Sequence, residues 1–417
     1  MRVLLISANT ERINMPAPPL GLGLVAAATR RAGHEVAYLD LFGEAEPLVA
    51  VQRAIATGSP EVVGISVRNI DDQDVQTRRF LLEPVKDLVS CCRAYTDAPT
   101  VLGGAGYSIF PDAALDYLGA DLGIRGEGEV VFPALLERLQ QGQDPSGLPG
   151  VHLSGKGCRA ERQFAPNLDL LPLPDDNVWL TGEPTTPDLW VPVQTRRGCA
   201  LDCTYCSTAD IEGRGLRARS PQSVIAHIRR VANAGFQRFC FVDNTFNLPL
   251  SYAMTLCRLI VTERLKIAWR CILYPHRVPE ELVAAMAEAG CVEVSLGFES
   301  GSKGVLRAMN KRFEPEEVRR ISDLLAKHGI RRLGFLLLGG PGETRESVKE
   351  SLAFADSLGL EVLKVTVGIR IYPRTPLEKT ALEEGMLSKD DTLLFPRFYL
   401  RPELESWIFD MVAGRES

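Results

Sequence analysis

The sequence predicts an α/β protein with two units, an N-terminal doubly wound parallel sheet (Rossmann-like) and a partial (β/α)6 TIM-type barrel. Strand-like and helix-like segments alternate over residues 1–145, and the alternation resumes over residues 191–385. Such alternation is typical of parallel sheets covered by helices. The proline-rich residues 146–190 predict a linker. We expect residues 386–417 to form a short segment that closes the open side of the barrel.

In the first unit, short apolar runs predict strands at residues 3–6, 36–39, 62–66 and 100–103. Helical patterns lie between them, and one over residues 130–139 closes the unit. In open parallel sheets, ligands bind beyond the carboxyl ends of the strands. Three such ends are polar or rich in glycine, which makes them candidate binding segments: Ser7–Asn9, Ser66–Asn69 and Gly103–Gly106.

In the second unit, six apolar runs recur at about the spacing of a βα unit. Six strands are fewer than the eight of a closed barrel, so this unit should be open on one side. Barrel enzymes place their chemistry at the carboxyl ends of the strands. The predicted strands cover residues 191–195, 239–242, 267–269, 292–296, 333–338 and 362–371.

Composition narrows the class of protein. The 417 residues are 45% hydrophobic and 24% charged, with a net charge of −6, which is typical of a globular protein and gives no basic surface for nucleic acid. No apolar run reaches the ~18 residues of a membrane span. The first residues resemble a strand and not a signal peptide. Ten cysteines without a secretion signal indicate a reducing, cytoplasmic setting.

The most informative motif contains Cys199, Cys203 and Cys206. Their spacing lets one loop bind three irons of a [4Fe–4S] cluster, which normally takes four thiolates. One iron is then left open for another ligand. A zinc site is the alternative, but zinc sites usually pair such cysteines with a second pair or with histidine. The nearest downstream histidine, His227, is too distant to belong to this loop.

The cysteine motif, with Tyr205 before its third cysteine, resembles the signature of radical S-adenosylmethionine (SAM) enzymes. The resemblance implies that SAM chelates the open iron and that the reduced cluster cleaves it to methionine and a 5′-deoxyadenosyl radical. It also implies an electron donor such as flavodoxin or ferredoxin. In such enzymes the cofactor carries the chemistry, and the protein positions it.

Four strand ends of the second unit resemble SAM-binding motifs of the same family. They imply contacts to the methionine amino group, the ribose and the adenine. The candidate SAM residues are Tyr205, Asp243, Asn244, Ser295, Gly297, Glu299, Gly339, Gly340, Ile369, Arg370 and Tyr372.

Structural alternatives stay open for several of these residues. Asp243 and Asn244 fit an Asx turn that caps the next helix. Glu299 is also a candidate to form an ion pair with Arg270. Part of the Gly339–Thr344 segment serves as a helix cap.

Four glycine-containing segments of the first unit together resemble the cobalamin-binding domain of one radical SAM class: Pro18–Leu22, Gly33–Val36, Leu102–Gly104 and Gly126–Glu129. The resemblance makes the following residues candidate cobalamin contacts: Asn9, Ser66, Val67, Arg68, Gly103, Gly104, Ala105, Gly126, Glu127 and Gly128. No DxHxxG motif occurs, and His34 is the only histidine of residues 1–145. We therefore expect cobalt to lack a histidine ligand.

Arg68 follows the third predicted strand, near the middle of the ligand-binding edge. We expect it beneath the corrin, on the lower side of cobalt, where a guanidinium cannot ligate metal. It would exclude water and leave cobalt without an axial donor. The alternative is a surface arginine paired with Asp71 or Asp72.

Together the motifs predict a cobalamin-dependent radical SAM methyltransferase. The resemblance implies methylation of an unactivated carbon of a small molecule or peptide through methylcobalamin and the 5′-deoxyadenosyl radical. One alternative keeps both cofactors but rearranges or cyclises the substrate without methyl transfer. The alternative from another class is a non-enzymatic cobalamin sensor, which would not need the three cysteines.

Overall fold

The computed structural model describes residues 1–11, 18–174, 180 and 189–415. Its first sheet has seven strands in the order β2-β1-β3-β4-β5-β6-β7, and the first five are parallel. The bounds are β1 (Arg2–Ser7), β2 (Glu35–Asp40), β3 (Val62–Ser66), β4 (Thr100–Gly103), β5 (Leu122–Ile124), β6 (Val151–Leu153) and β7 (Gly157–Cys158). The predicted doubly wound sheet is confirmed.

Helices cover both faces of this sheet. The side chains of β1 are therefore buried on both sides, and they belong to two separate apolar clusters. One cluster contains Leu4 and Ile6, and the other contains Val3 and Leu5. The helices are α1 (Leu20–Arg31), α2 (Pro47–Gly58), α3 (Leu82–Tyr95), α4 (Ala105–Ile109), α5 (Pro111–Leu118) and α6 (Gly128–Gln140).

The second sheet has six parallel strands in the order β15-β14-β13-β12-β11-β8, which confirms the open, partial barrel. Two small antiparallel pairs accompany it, β9 with β10 and β16 with β17. The bounds are β8 (Val191–Val193), β9 (Arg196–Arg197), β10 (Arg217–Ala218), β11 (Arg238–Phe241), β12 (Ala268–Leu273), β13 (Cys291–Glu299), β14 (Arg331–Leu338), β15 (Val362–Val367), β16 (Ile369–Arg370) and β17 (Phe398–Tyr399).

The helices of the second unit pack a large apolar core against these strands. The last of them, α15, contributes Leu404, Ile408 and Val412 to this core and therefore lies against the barrel, as expected for the C-terminal segment. The helices are α7 (Thr208–Glu212), α8 (Pro221–Asn233), α9 (Leu250–Thr262), α10 (Glu280–Glu288), α11 (Lys303–Ala308), α12 (Pro315–Lys327), α13 (Arg345–Ser357), α14 (Pro376–Glu383) and α15 (Pro402–Val412).

The last predicted barrel strand, residues 362–371, is wrong as a single element. It divides at Gly368, whose φ of 77° is in the left-handed region that glycine tolerates. A Cβ there would lie 3.2 Å from Cβ of Val75, which belongs to the first unit. Close docking of the two units therefore turns the chain at this point, and β16 pairs with β17 instead of continuing the barrel.

The predicted linker contains more structure than its proline content indicates. The hairpin expected near residues 151–153 is present, but β6 pairs antiparallel with β5 and so extends the first sheet past residue 145. Residues 175–179 and 181–188 of the predicted linker lie outside the described residues. The four domain boundaries stay a prediction. No helix in the described part of the chain is both long and apolar enough to cross a membrane.

Candidate active site

A cavity of about 350 Å³ lies between the two units, at the carboxyl ends of strands from both sheets. The first sheet lines it with residues that follow β3, β4 and β5, and the barrel lines it with residues from β8, α7 and the end of β11. Two different ligand-binding edges therefore face one space.

Eight of the ten predicted cobalamin contacts line this cavity: Ser66, Arg68, Gly103, Gly104, Ala105, Gly126, Glu127 and Gly128. Asn9 and Val67 do not line it, and their contact with cobalamin stays a prediction. Asn9 accepts a hydrogen bond from Asn69, and Val67 is buried. Close packing against Gly104 explains why Val67 is buried, since a Cβ on Gly104 would lie 2.5 Å from the Val67 carbonyl oxygen.

The cavity continues into the first unit as an apolar slot lined by Leu5, Gly64, Val101, Ile124 and Phe132. At its mouth, Gly103 leaves open space, because a Cβ there would meet only the Ile124 carbonyl oxygen, at 4.0 Å. No histidine is among the described lining residues. A flat macrocycle with an apolar tail fits glycine strand ends above an apolar slot, so these residues fit cobalamin without a histidine ligand.

The predicted contact Glu127 is engaged in an ion pair. Its carboxylate pairs with Arg197 at 3.2 Å and with Arg217 at 2.5 Å. Glu129, buried two residues later, also pairs with Arg197. These charges join the end of β5 to the start of the cysteine loop, so the second half of the Gly126–Glu129 segment holds the units together.

The three cysteines follow β9 in one loop whose backbone is held at both ends. The Cys199 N–H donates to the Gly213 carbonyl at 3.0 Å, and the Cys206 N–H donates to that of Cys203 at 3.2 Å. Gly198 begins the loop with a φ of 90°, and a Cβ there would lie 2.2 Å from the Gly215 carbonyl oxygen. Only glycine fits where the chain turns into the cysteine loop.

The three thiols face a common space. Burial raises the pKa of Cys199, and the neighbouring Cys206 and Cys203 raise it further. Among the described residues, no three His, Cys, Asp or Glu side chains lie close enough to hold a single metal ion. The spacing of the three thiols and their mutual proximity fit a cluster whose irons are bound by separate cysteines.

Tyr205 and Glu299 meet beside this loop. The Tyr205 hydroxyl donates to Oε1 of Glu299 at 3.0 Å. The same carboxylate pairs with Lys311 at 3.2 Å. The alternative ion pair of Glu299 with Arg270 is wrong, because Arg270 lies 3.8 Å from Glu293 instead. Sequence analysis missed Lys311, because a lysine just after a short helix resembles an ordinary surface charge.

Asp243 is engaged by groups of the protein. Its buried carboxylate accepts hydrogen bonds from the backbone N–H groups of Thr195 and Arg196, and it pairs with the Arg196 guanidinium at 2.9 Å. These bonds hold the segment that leads into the cysteine loop, and the expected contact of Asp243 with the methionine amino group stays a prediction.

Asn244 donates to Oε2 of Glu212 at 2.7 Å, and Glu212 lines the cavity. Burial raises the pKa of Glu212, while the Gly198 N–H and Asn244 lower it. Sequence analysis missed Glu212, since an acidic residue after a cysteine motif carries no distinctive pattern. It is the cavity carboxylate nearest in sequence to the cysteines.

The glycines after β14 pack against protein groups. Cβ atoms on Gly339 and Gly340 would lie 2.4 Å from Leu400 and 2.8 Å from Ile369. Both N–H groups donate to Oε2 of Glu343, at 2.5 and 3.1 Å. Thr344 forms a capping box with Ser347, which confirms the predicted cap.

Arg370 and Tyr372 contact the first unit. The buried Arg370 guanidinium pairs with Asp71 at 2.7 Å and also donates to the Leu393 carbonyl oxygen. The Tyr372 hydroxyl accepts a hydrogen bond from Gln73 at 3.0 Å. Ile369 is buried in β16. These contacts join the two units, and the predicted contact of Ile369, Arg370 and Tyr372 with SAM stays a prediction.

Ser295 and Gly297 lie in the last part of β13. Ser295 is buried, and a Cβ on Gly297 would lie 3.0 Å from Oε1 of Glu299. Gly297 thus leaves room for the carboxylate that Tyr205 and Lys311 hold. The contact of Ser295 and Gly297 with SAM stays a prediction.

Two family profiles match the chain in the order of its two units. The B12 binding domain profile matches residues 6–136, and the radical SAM superfamily profile matches residues 193–355. The chain belongs to the radical SAM enzymes that also carry a B12-binding domain.

The comparisons also show which members of this group it resembles. An uncharacterized methyltransferase of Pyrococcus horikoshii is 28% identical over 93% of this chain and 84% of its own length. Cytidylyl-2-hydroxyethylphosphonate methyltransferase of Streptomyces wedmorensis is 28% identical over 94% and 84%. The radical SAM methyltransferase TsrM of Kitasatospora setae, solved with tryptophan and a SAM analogue, shares the fold with a TM-score of 0.86, 24% identity and coverage of 99% and 88%.

The predicted recognition, fold class and cofactors are therefore confirmed. The chain is a radical SAM enzyme with a B12-binding domain, a class whose cofactors are a [4Fe–4S] cluster, SAM and cobalamin, and its relatives over more than nine tenths of its length are methyltransferases. The non-enzymatic sensor is wrong. The identity of the individual cofactor contacts stays a prediction.

Proposed function

We propose that the chain transfers a methyl group to a carbon atom of a small organic molecule bound between its two units. The observation that supports this is the shared cavity, in which Gly103 and Gly126 of the first sheet face Gln194 and Glu212 of the barrel. The cysteine loop begins directly after Arg197, which lines this cavity, so a substrate there would lie next to both predicted cofactor sites. Holding reactants at one site lowers the entropic part of the barrier.

When bound, the cluster with SAM supplies a carbon-centred radical, and cobalamin supplies the methyl group. We propose that Cys199, Cys203 and Cys206 hold the cluster. Tyr205 and Glu299, fixed by their mutual hydrogen bond, orient the groups beside it. The apolar lining excludes water, which suppresses competing reactions.

Arg68 is the residue proposed to lie beneath the corrin. It lines the cavity just after β3, and burial lowers its pKa, yet arginine stays protonated in proteins. Asp71 pairs with Arg370, and Asp72 accepts hydrogen bonds from Thr77 and the Arg79 N–H. A cation that cannot ligate cobalt suits the lower face.

The test of Arg68 compares Arg68→Ala with Arg93→Ala, which removes an exposed arginine of the same unit. We expect Arg68→Ala alone to change the cob(II)alamin electron paramagnetic resonance spectrum and to slow methyl transfer at least tenfold. A spectrum and rate identical to those of the unchanged protein would exclude this role.

The substrate class is tested with SAM that carries a deuterated methyl group. Reconstituted, reduced protein is incubated with the small-molecule and the peptide fractions of a cell extract, and products are analysed by mass spectrometry. We expect the label in a small molecule. Label in a peptide would change the substrate class, and an unlabelled isomeric product would favour rearrangement without methyl transfer.

We also propose a protein electron donor such as flavodoxin or ferredoxin, since radical formation at the cluster requires one electron. The cytoplasm is the proposed setting, because all ten cysteines are free thiols, as in a reducing compartment. Purified flavodoxin is tested as the donor by measuring whether the absorbance of the cluster falls when the reduced flavodoxin is added.

A further inference from the structure

Lys311 is a buried cation beside the cysteine loop. Its side chain is 4% exposed, and it lies just after α11 and the turn at Asn310, whose φ is 56°. A lone buried ammonium is strongly unfavourable, so it must be matched by nearby acceptors. The structure provides two such groups.

An ammonium has three N–H donors. One is directed to the Tyr205 hydroxyl at 2.9 Å, and one to Oε1 of Glu299 at 3.2 Å. The third neighbour is the cysteine loop, because Asn310 donates to the Asp202 carbonyl oxygen at 2.8 Å and the Thr204 N–H donates to the Met309 carbonyl oxygen at 3.2 Å. Cys203 therefore lies between two residues that are bonded to the segment just before Lys311.

The backbone of β13 helps to produce this arrangement. The register of β13 against β14 shifts between Gly297 and Glu299, and Glu299 has a φ of 62°, which is uncommon for a residue other than glycine. Such irregularities re-aim a side chain at the end of a strand. Here the Glu299 carboxylate is brought to Lys311, so the buried charge is paired within hydrogen-bond distance.

We propose that Lys311 donates a charge-assisted hydrogen bond to the Cys203 sulfur and thereby raises the reduction potential of the [4Fe–4S] cluster. The potential of such clusters depends on net charge and on hydrogen bonds to their sulfurs. Reduction adds negative charge, and a fixed cation at a ligand sulfur stabilises that state. Burial keeps this interaction from being screened by salt. Lys311 is thus a positioning and tuning residue for the electron that starts the reaction.

The experiment is a redox titration of the reconstituted protein with dithionite, without SAM, followed by electron paramagnetic resonance. Lys311→Met removes the charge and the donors, and Lys311→Arg keeps both. Lys303→Met is the control, because Lys303 lies on α11 with a side chain 49% exposed. The inference rests on Cys203 as a cluster ligand, which the iron content of each variant measures separately.

We expect a clearly more negative midpoint potential for Lys311→Met, a potential near that of the unchanged protein for Lys311→Arg, and no shift for Lys303→Met. If Lys311→Met binds too little iron to titrate, Lys311→Gln replaces it and should show the same direction of shift. An iron-loaded Lys311→Met or Lys311→Gln variant with an unshifted potential would overturn the proposal. If such a variant also bound SAM less tightly, Lys311 would act on SAM and not on the cluster.

Discussion

The two walls of the central cavity differ in how they are made. The wall from the first sheet is mostly glycine backbone and apolar side chains such as Leu5, Ile124 and Phe132. The wall on the side of the barrel and the cysteine loop instead contains polar and charged side chains, namely Gln194, Arg197 and Glu212. The first wall selects a ligand by shape, whereas the second positions charge, so substitutions in the two should fail in different ways.

The walls are joined by buried ion pairs between the units. Arg197 pairs with Glu127 and Glu129, and Arg370 pairs with Asp71, which is 299 residues away in sequence. Because these charges have little access to water, each side chain depends on its partner. The relative position of the two cofactor sites therefore depends on a few charged contacts.

The largest effect should come from the cysteine loop, which follows the polar wall of the cavity in sequence. Replacing Cys199, Cys203 and Cys206 by alanine should remove all cluster iron, because the thiolates are the ligands. Iron analysis and visible absorbance of the reconstituted protein measure this. Cobalamin binding should be unchanged, since the other wall is intact. About four irons per chain in the triple variant would refute the assignment.

The second largest effect should come from the buried Asp71–Arg370 ion pair, which joins the two units. Asp71→Ala leaves the Arg370 guanidinium buried and unpaired, which should reduce the free energy of unfolding by about 3–5 kcal/mol. Urea denaturation measures this, and Asp71→Ala with Arg370→Met should recover part of the loss. Glu263→Ala, which breaks an exposed pair with Arg229, should cost about 1 kcal/mol or less. Equal losses in both single variants would contradict a special role for the buried pair.

The shape-selecting wall is tested at Gly103. A valine side chain there would not clash with the protein, but it would occupy part of the cavity. The affinity for cobalamin should therefore fall at least tenfold, which corresponds to about 1.4 kcal/mol of binding free energy. Equilibrium binding of hydroxocobalamin measures it, with iron content as the check on the other wall. Gly147→Val, at an exposed glycine with no atom within 4 Å of an added Cβ, should bind normally. Unchanged affinity in Gly103→Val would place cobalamin elsewhere.

The smallest effect concerns Glu343, a buried acid whose Oε1 has no partner among the described residues. Burial raises its pKa from 4.5 to about 7. The unfolded chain therefore releases this proton at lower pH than the folded one, and stability falls as pH rises from about 4.5 to 7. The loss above this window is at most about 3 kcal/mol.

Glu343→Gln should remove this part of the pH dependence, measured as the difference in unfolding free energy between pH 5 and pH 8. Glu346→Gln is the control: Glu346 lies three residues later, in the first turn of α13, and its pKa is lowered, so it stays ionised through this range. A Glu343→Gln variant with the same pH dependence as the unchanged protein would show that Glu343 ionises normally.

Local patterns carried much of the prediction. Strands β3 and β4 were predicted with their observed bounds, because the alternation of apolar runs and turns acts over a few residues. The cysteine motif and the glycine strand ends were equally local. Local patterns did not predict the ion pairs of polar side chains such as Asp243 and Arg370, because their partners lie far along the chain.

The sequence by itself determined the class of both units and the cysteine loop, since hydrophobic periodicity and ligand spacing depend on neighbouring residues. Only the tertiary structure decided which buried charges pair. Lys311 lies 106 residues from Tyr205, and Asp71 lies 299 residues from Arg370. The physical reason is that a buried charge must find a partner wherever the fold brings one within hydrogen-bond distance, and no local pattern records that choice.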